Sequence, residues 1–208
     1  MSQGRFIVFE GIDGAGTTTQ AGLLARRLEA SGRRVLLTAE PSTGPVGKML
    51  RSILSGALSP KGAGNWDGRA LALLFAADRL DHFRGEIRPA LEAGMDVVCD
   101  RYVLSSVAYQ GMAAPFAWIR SLNRFVPPPD CTVFLRVRPE IALARRLGAA
   151  DAPDLFETLP QQERIARLYD EAAAELEARH RIRTVDGERP PDAVAAEVWS
   201  VVEPLLRS

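Results

Sequence analysis

The chain has 208 residues, 47% of them apolar and 25% charged, with 26 basic and 26 acidic side chains in balance. That size suits one globular domain with a real core, and zero net charge argues against a bulk binder of nucleic acid or membrane surface. No apolar run approaches the roughly 20 residues of a membrane span, and the N-terminal residues run straight into a strand-like segment, so neither a spanning helix nor a signal peptide is expected.

Five short β-rich runs follow one another, at residues 6–10, 35–40, 96–100, 131–137 and 181–186, each followed by a helical pattern. Unbroken apolar stretches such as Val97-Val98-Cys99 fit strands covered on both faces. Between them Val46, Leu50, Ile53 and Leu54 share a helix face, as do Ile165, Leu168, Tyr169, Ala172 and Leu176, and later Val194, Val198, Val201 and Leu205. Strands alternating with amphipathic helices predict an α/β fold, a five-stranded parallel sheet with helices on both faces, spanning residues 1–208 as a single domain. Residues 59–67 (SPKGAGNWD) read as a flexible loop, Pro127-Pro128-Pro129 as a rigid connector, and residues 148–160 as a second irregular stretch. Cys99 and Cys131 lie in strand-like runs and are expected to be buried, reduced thiols of a cytoplasmic protein. His82 and His180 lie in charged helical stretches and read as solvated side chains, while Trp66, Trp118 and Trp199 read as packing or interface residues.

Ligands of such sheets sit at the carboxyl ends of the strands, which places Gly11, Glu40 and Asp100-Arg101 along one rim. Residues 6–20 (FIVFEGIDGAGTTTQ) have the layout of a phosphate-binding loop: buried strand, glycine turn, polar helix start. Backbone N–H groups over Gly11, Ile12, Asp13, Gly14, Ala15, Gly16, Thr17 and Thr18, with the helix dipole, would cradle phosphate oxygens. The usual pattern is G-x-x-x-x-G-K-[ST]; here Gly11, Gly16 and Thr18 hold their places and Thr17 stands where lysine belongs. Thr18 would carry its hydroxyl to a phosphate-bridging Mg²⁺, with Asp100 at the neighbouring strand end holding the same metal. Asp13 would turn away from an anion, toward a hydroxyl. Arg101 suits a second phosphate, although an Asp–Arg surface pair accounts for it equally well. Phe75 and Arg79 are one helical turn apart and could stack a base and hold its phosphate; a core phenylalanine and an Arg79 paired with Asp78 or Glu86 would be the plainer account.

Taken together, FEGIDGAG-TTTQ, AEPS around Glu40-Pro41, Arg51, LLFAADR at 73–79 and CDRY…SSVAYQG at 99–111 resemble thymidylate kinases, in the family's order and spacing. The resemblance implies a nucleoside monophosphate kinase fold, a homodimer, and transfer of the γ-phosphoryl group of ATP to dTMP with Mg²⁺, giving dTDP. It implies Phe75 stacking on thymine, Arg51, Arg79 and Arg101 handling the acceptor nucleotide and its phosphate, and Asp13 on the 3′-hydroxyl. Glu40, Ser105, Tyr109 and Gln110 would border the sugar and base. The attacking phosphate oxygen is already an anion, so catalysis would be alignment and charge neutralisation, with Arg101, Arg145 and Asp13 as its residues.

The chain departs from the family at Thr17, at Ala39 where an arginine is common, and in a lid at about 146–160, where residues 152–157 (APDLFE) carry no cation. Arg145 is the expected replacement for the missing charge and Arg136 the second choice. If neither serves, the chain would be a weakly catalytic nucleotide-binding relic or regulator. A phosphate-loop switch acting on a protein partner would need a water-positioning residue and switch loops, and the sequence offers neither.

Overall fold

The computed structural model describes residues 4–60, 65–148 and 158–207. Five strands, β1 (Phe6–Glu10), β2 (Val35–Ala39), β3 (Asp96–Asp100), β4 (Cys131–Arg136) and β5 (Ile182–Asp186), form one all-parallel sheet in the order β2-β3-β1-β4-β5. All five expected strands form, within a residue of their expected ends. The central β1 and β3 are buried at every position, which explains why their sequences run apolar without alternation.

The helices are α1 (Thr17–Ala30), α2 (Pro45–Leu54), α3 (Gly68–His82), α4 (Arg88–Glu92), α5 (Val103–Gln110), α6 (Phe116–Leu122), α7 (Pro139–Leu147), α8 (Leu159–His180) and α9 (Pro191–Leu206). Proline in the first turn of α2, α7, α8 and α9 fixes φ where an N–H would be unpaired anyway. Thr158 and Gln161 form a capping box at the start of α8. A π-helical turn, Phe83–Ile87, joins α3 to α4 and breaks the regular helical phase there. Helices α1 and α9 pack together, touching β1, β2, β3 and β5, while α8 packs against α5, α7, β4 and β5. The buried stripes Ile165, Tyr169, Ala172, Leu176 and Val194, Val198, Val202 are the faces turned to the sheet. No helix among the described residues is long and apolar enough to cross a membrane. The tip of the 59–67 loop and most of the expected lid, residues 61–64 and 149–157, lie outside the described residues.

Register sets the rim. Phe9 lies opposite Asp100 and Glu10 opposite Phe134, and the ladder runs on as Arg101 N–H donates to Phe9 C=O at 2.8 Å and Glu40 N–H to Asp100 C=O at 3.0 Å. The ends of β2, β3 and β1 are thereby level, with Glu40, Asp100-Arg101 and Gly11 side by side.

Both cysteines are buried and unpaired, as expected, but neither histidine is solvated. His82 faces the β2 end, where its Nε2 lies 2.9 Å from Thr38 Oγ1. Asp81 of α3 and Arg84 beyond it are exposed, whereas Asp78, Arg79 and His82 share the buried inner face. His180 closes α8, and burial first, then the charges of Arg179 and Arg79, holds its imidazole down at about 4. The folded state therefore refuses a proton that an unfolded histidine accepts near 6.5. Stability is therefore at its full value above that pH and is lost as pH falls toward 4, by about 3 kcal/mol. Urea denaturation at pH 7 and pH 4.5 checks this: wild type should lose more stability between the two than His180→Asn.

Candidate active site

Between β1 and α1 the chain turns through Gly14 and Gly16, both left-handed, with φ of 86° and 93°. A Cβ on Gly14 would stand 2.2 Å from the Ala142 carbonyl of α7, so the loop lies flush against that helix and only glycine fits. Helix α1 then opens with no side-chain cap, leaving its first N–H groups and the positive end of its dipole to the loop's concavity. Ile12 and Ala15 are buried and contribute backbone alone. Thr17 is buried as well, its methyl packed under Gly11, so the lysine position presents no side chain to the concavity.

Thr18 Oγ1 hydrogen-bonds Asp100 Oδ2, joining the loop to the end of β3. The other oxygen, Asp100 Oδ1, is buried with no partner among the described residues. A hydroxyl beside a carboxylate with a spare oxygen suits Mg²⁺ arriving with phosphate groups, which keeps several waters and asks for few protein ligands.

Arg101 crosses beneath the loop. Its own φ is 72°, in the left-handed region that costs an arginine about 1 kcal/mol or more. Nη1 donates to Gly11 C=O at 3.0 Å, Tyr169 Oη at 3.1 Å and Ser105 Oγ at 3.3 Å, and Nη2 to Asp13 Oδ1 at 2.6 Å. Glu10 explains how the strained backbone is held. Its Oε1 accepts from Tyr102 N at 2.9 Å and Ser105 N at 3.2 Å, its Oε2 from Ser105 Oγ at 2.6 Å, so the strand-end carboxylate caps α5 from below. Burial raises the Glu10 carboxyl above its ordinary 4.5, while the Ser105 hydrogen bond and the Arg101 charge pull it down.

Asp13 and Arg101 form one wall of a pocket of about 170 Å³ lined also by Glu40, Phe75, Arg79, Ser105, Tyr109 and Gln110. Tyr109 Oη accepts from Asp13 N–H at 3.1 Å, and burial, then the Asp13 charge, pushes its hydroxyl up, so it stays protonated. Gln110 is buried with Oε1 lacking a partner among the described residues. Pro41, Leu54, Leu71 and Ser106 complete the lining and were missed in the sequence. Ser106 carried a signal, since it stands one turn before Gln110.

Arg79 is only 1% exposed. Nε donates to Glu40 Oε2 at 2.8 Å, Nη2 to Tyr102 C=O at 2.7 Å, and Nη1 to Ser106 Oγ at 2.9 Å and to Asn123 Oδ1, with Nη2 also 2.7 Å from Glu40. Its donors thus go to protein rather than to Asp78 or Glu86. Asp78 instead holds the Ser42 N–H and hydroxyl, at 2.7 and 2.5 Å. Arg51 donates to the carbonyls of Pro41 and Ser42 just outside the pocket.

On the other side of the loop a hollow of about 410 Å³ is bounded by Ala15, Gly16, Thr19, Gln20, Arg145 and the turn at 187–191. Arg145 donates to the carbonyls of Gly187, at 2.9 Å, and Glu188, at 3.2 Å. The Arg146 stem reaches the loop itself, within 3.1 Å of where a Cβ on Gly14 would stand. Arg136, the second expected substitute, is exposed and paired with Asp170 at 2.9 Å.

A phosphate loop with a Thr–Asp pair, opening toward a buried pocket edged by Asp13 and Arg101, is an arrangement for joining two phosphorylated ligands. The thymidylate kinase family model matches residues 9–198. The chain belongs to the thymidylate kinase family. It is 42% identical to the thymidylate kinase of Thermomicrobium roseum, over 97% of this chain and 96% of that one. It is also 42% identical to that of Solidesulfovibrio magneticus, over 97% and 100%, and 36% identical to a probable thymidylate kinase of Pyrobaculum aerophilum, over 97% and 98%.

Within this family member, Glu40–Arg79 is the most deeply buried arginine–carboxylate pair described, and removing one partner strands a charge. Glu40→Ala should cost about 3–5 kcal/mol in chemical denaturation. Glu40→Gln, which still accepts from Arg79, should cost clearly less.

Proposed function

We propose that the chain phosphorylates dTMP to dTDP with ATP and Mg²⁺. The observation carrying this reading is that Asp13 of the loop and Arg101, bonded to Asp13 and to Gly11 C=O, both line the pocket, so donor and acceptor phosphates would meet across them. The loop backbone and the α1 N-terminus receive the donor phosphates, and the hollow bounded by Arg145 and residues 187–191 takes the donor base. Thr18 and Asp100 would hold the metal, which would supply neutralising charge to the phosphates. In the pocket Phe75 stacks on the base, Ser106 and Gln110 meet its edge, and Asp13 holds the sugar hydroxyl beside Tyr109. Arg101 neutralises the acceptor phosphate, Arg51 supports it from the rim, and Glu40 with Arg79 forms the stiff inner wall. Ser105 serves from beneath by tying α5 to Glu10.

The missing lysine charge is restored from α7, with Arg145 leading and Arg146 beside it against Gly14. Residues 1–208 act as one kinase domain whose lid spans about 146–160. It works in the cytoplasm, in keeping with two reduced thiols, as a homodimer joined through the exposed apolar stripe Leu73, Ala77 and Leu80 of α3. Near-full-length similarity to proteins named as kinases supports this reading over a catalytically silent relic.

Purified protein with ATP, Mg²⁺ and dTMP should yield dTDP, and turnover equal to a protein-free blank would sink the reading. Phe75→Ala should raise KM for dTMP at least tenfold with a smaller effect on KM for ATP, as expected for loss of a stacking wall. Arg145→Ala should lower kcat by 10²-fold or more, and Thr17→Lys should recover part of that loss. An Arg145→Ala enzyme with unchanged kcat rules out its role as the substitute cation.

A further inference from the structure

We propose that Tyr169 is a positioning residue for phosphoryl transfer, its hydroxyl locking the Arg101 guanidinium in its reactive orientation. The inference rests on the kinase reading above and adds a residue to it. Tyr169 lies on α8, the helix that follows the lid segment, far from every sequence motif of the site. Its ring is fully buried, stacked on Phe134 of β4 at 5.6 Å and edge-on to Tyr109 of α5 at 6.1 Å. The ring therefore has one orientation, and that orientation delivers the hydroxyl to a single polar point. There it meets Arg101 Nη1 at 3.1 Å, Ser105 Oγ at 2.8 Å and Glu10 Oε2 at 3.3 Å.

A hydroxyl has one proton and two lone pairs, and each has a use here. The proton goes to Glu10 or Ser105, and a lone pair accepts from Arg101. Without it, Arg101 Nη1 keeps Gly11 C=O and the longer contact to Ser105. Those two, and Asp13 on Nη2 at 2.6 Å, belong to the loop and α5. The Tyr169 hydroxyl is the contact that α8 supplies, and it ties the fork to a third element. Arg101 needs this restraint more than most arginines, since its left-handed backbone already biases it away from relaxed geometry. A planar fork helps only when its N–H vectors face the developing charge, so loss of orientation should reach the rate before it reaches binding.

Tyr169→Phe removes the hydroxyl and keeps the ring. It should lower kcat about tenfold, the worth of one modest charge-assisted hydrogen bond, with KM for dTMP and ATP within about twofold. In an Arg101→Lys background the same change should cost less than twofold, because no fork remains to orient. In the ligand-free protein, NMR of ¹³C,¹⁵N-arginine should show faster rotation about the Arg101 Nε–Cζ bond in Tyr169→Phe, with the resonance assigned by its loss in Arg101→Lys. The rotation measurement needs no turnover, so an inactive wild type would defeat the kinase reading while leaving this one decidable. Unchanged kcat, a loss carried by KM, an equal loss in the Arg101→Lys background or unchanged rotation would each overturn the proposal. So would a Tyr169→Phe protein that no longer folds, which would assign the hydroxyl to the fold.

Discussion

Glu10 ends the central strand of the sheet, fully buried, and a carboxylate there is tolerated only if its lone pairs are filled. They are filled by Tyr102 N–H, Ser105 N–H, the Ser105 hydroxyl and the Tyr169 hydroxyl, contributed by β3's exit, α5 and α8. Those donors converge where the chain leaves β3 through a left-handed Arg101. The strain at Arg101 is thus met by satisfying Glu10, and the side chain that emerges lies under Gly11, across to Asp13. One buried carboxylate fixes the distance between phosphate loop and acceptor wall. Neighbouring groups set its charge balance: burial disfavours ionisation, and Ser105 and Arg101 restore part of it.

The two arginines of the pocket are held by opposite strategies. Arg79 is walled in by Glu40, Ser106, Asn123 and the Tyr102 carbonyl, with His82 behind Glu40 at 3.4 Å, so its charge is spent within the protein and its contribution is rigidity. Arg101 is only partly buried, and its partner Asp13 is equally open to solvent at about a fifth of its surface. A pair of that kind can exchange partners when a phosphate arrives, because neither charge must be stripped bare in the process. The difference lies in depth below the rim rather than in residue type.

Much of this was legible because it is local. Strand length, glycine spacing and the turn-apart placement of Phe75 and Arg79 are properties of a few consecutive residues, and Phe75 and Arg79 do line one pocket. What was not legible depends on contacts between distant residues. Glu10 and Tyr169 are 159 positions apart, and no local pattern distinguishes Tyr169 from any other aromatic on an apolar helix face. His82 was misread for the same reason: Asp81, Arg84 and Glu86 around it gave a solvated character, while helical phase turned it inward with Asp78 and Arg79. The partners of Arg79 were sought in neighbouring Asp78 or Glu86, whereas the groups that take its donors come from three distant segments, at Glu40, Tyr102–Ser106 and Asn123.

Thr17 shows how shape and charge come apart in a phosphate loop. The loop's shape is kept by left-handed glycines and by close packing against the α7 backbone at Ala142, and the short Thr17 side chain packs beneath Gly11 without disturbing either. Backbone N–H groups act on ground state and transition state alike, so they secure binding. A cation about 4 Å from a phosphate oxygen is worth on the order of 4 kcal/mol at an effective dielectric near 20. That energy matters most when charge shifts during transfer. The substitution therefore bears on rate more than on affinity, and a repair has to come from an element already fixed to the loop. Helix α7 meets that condition, since its carbonyl at Ala142 excludes any side chain at Gly14 and its last turn carries Arg145 and Arg146 to the loop's edge.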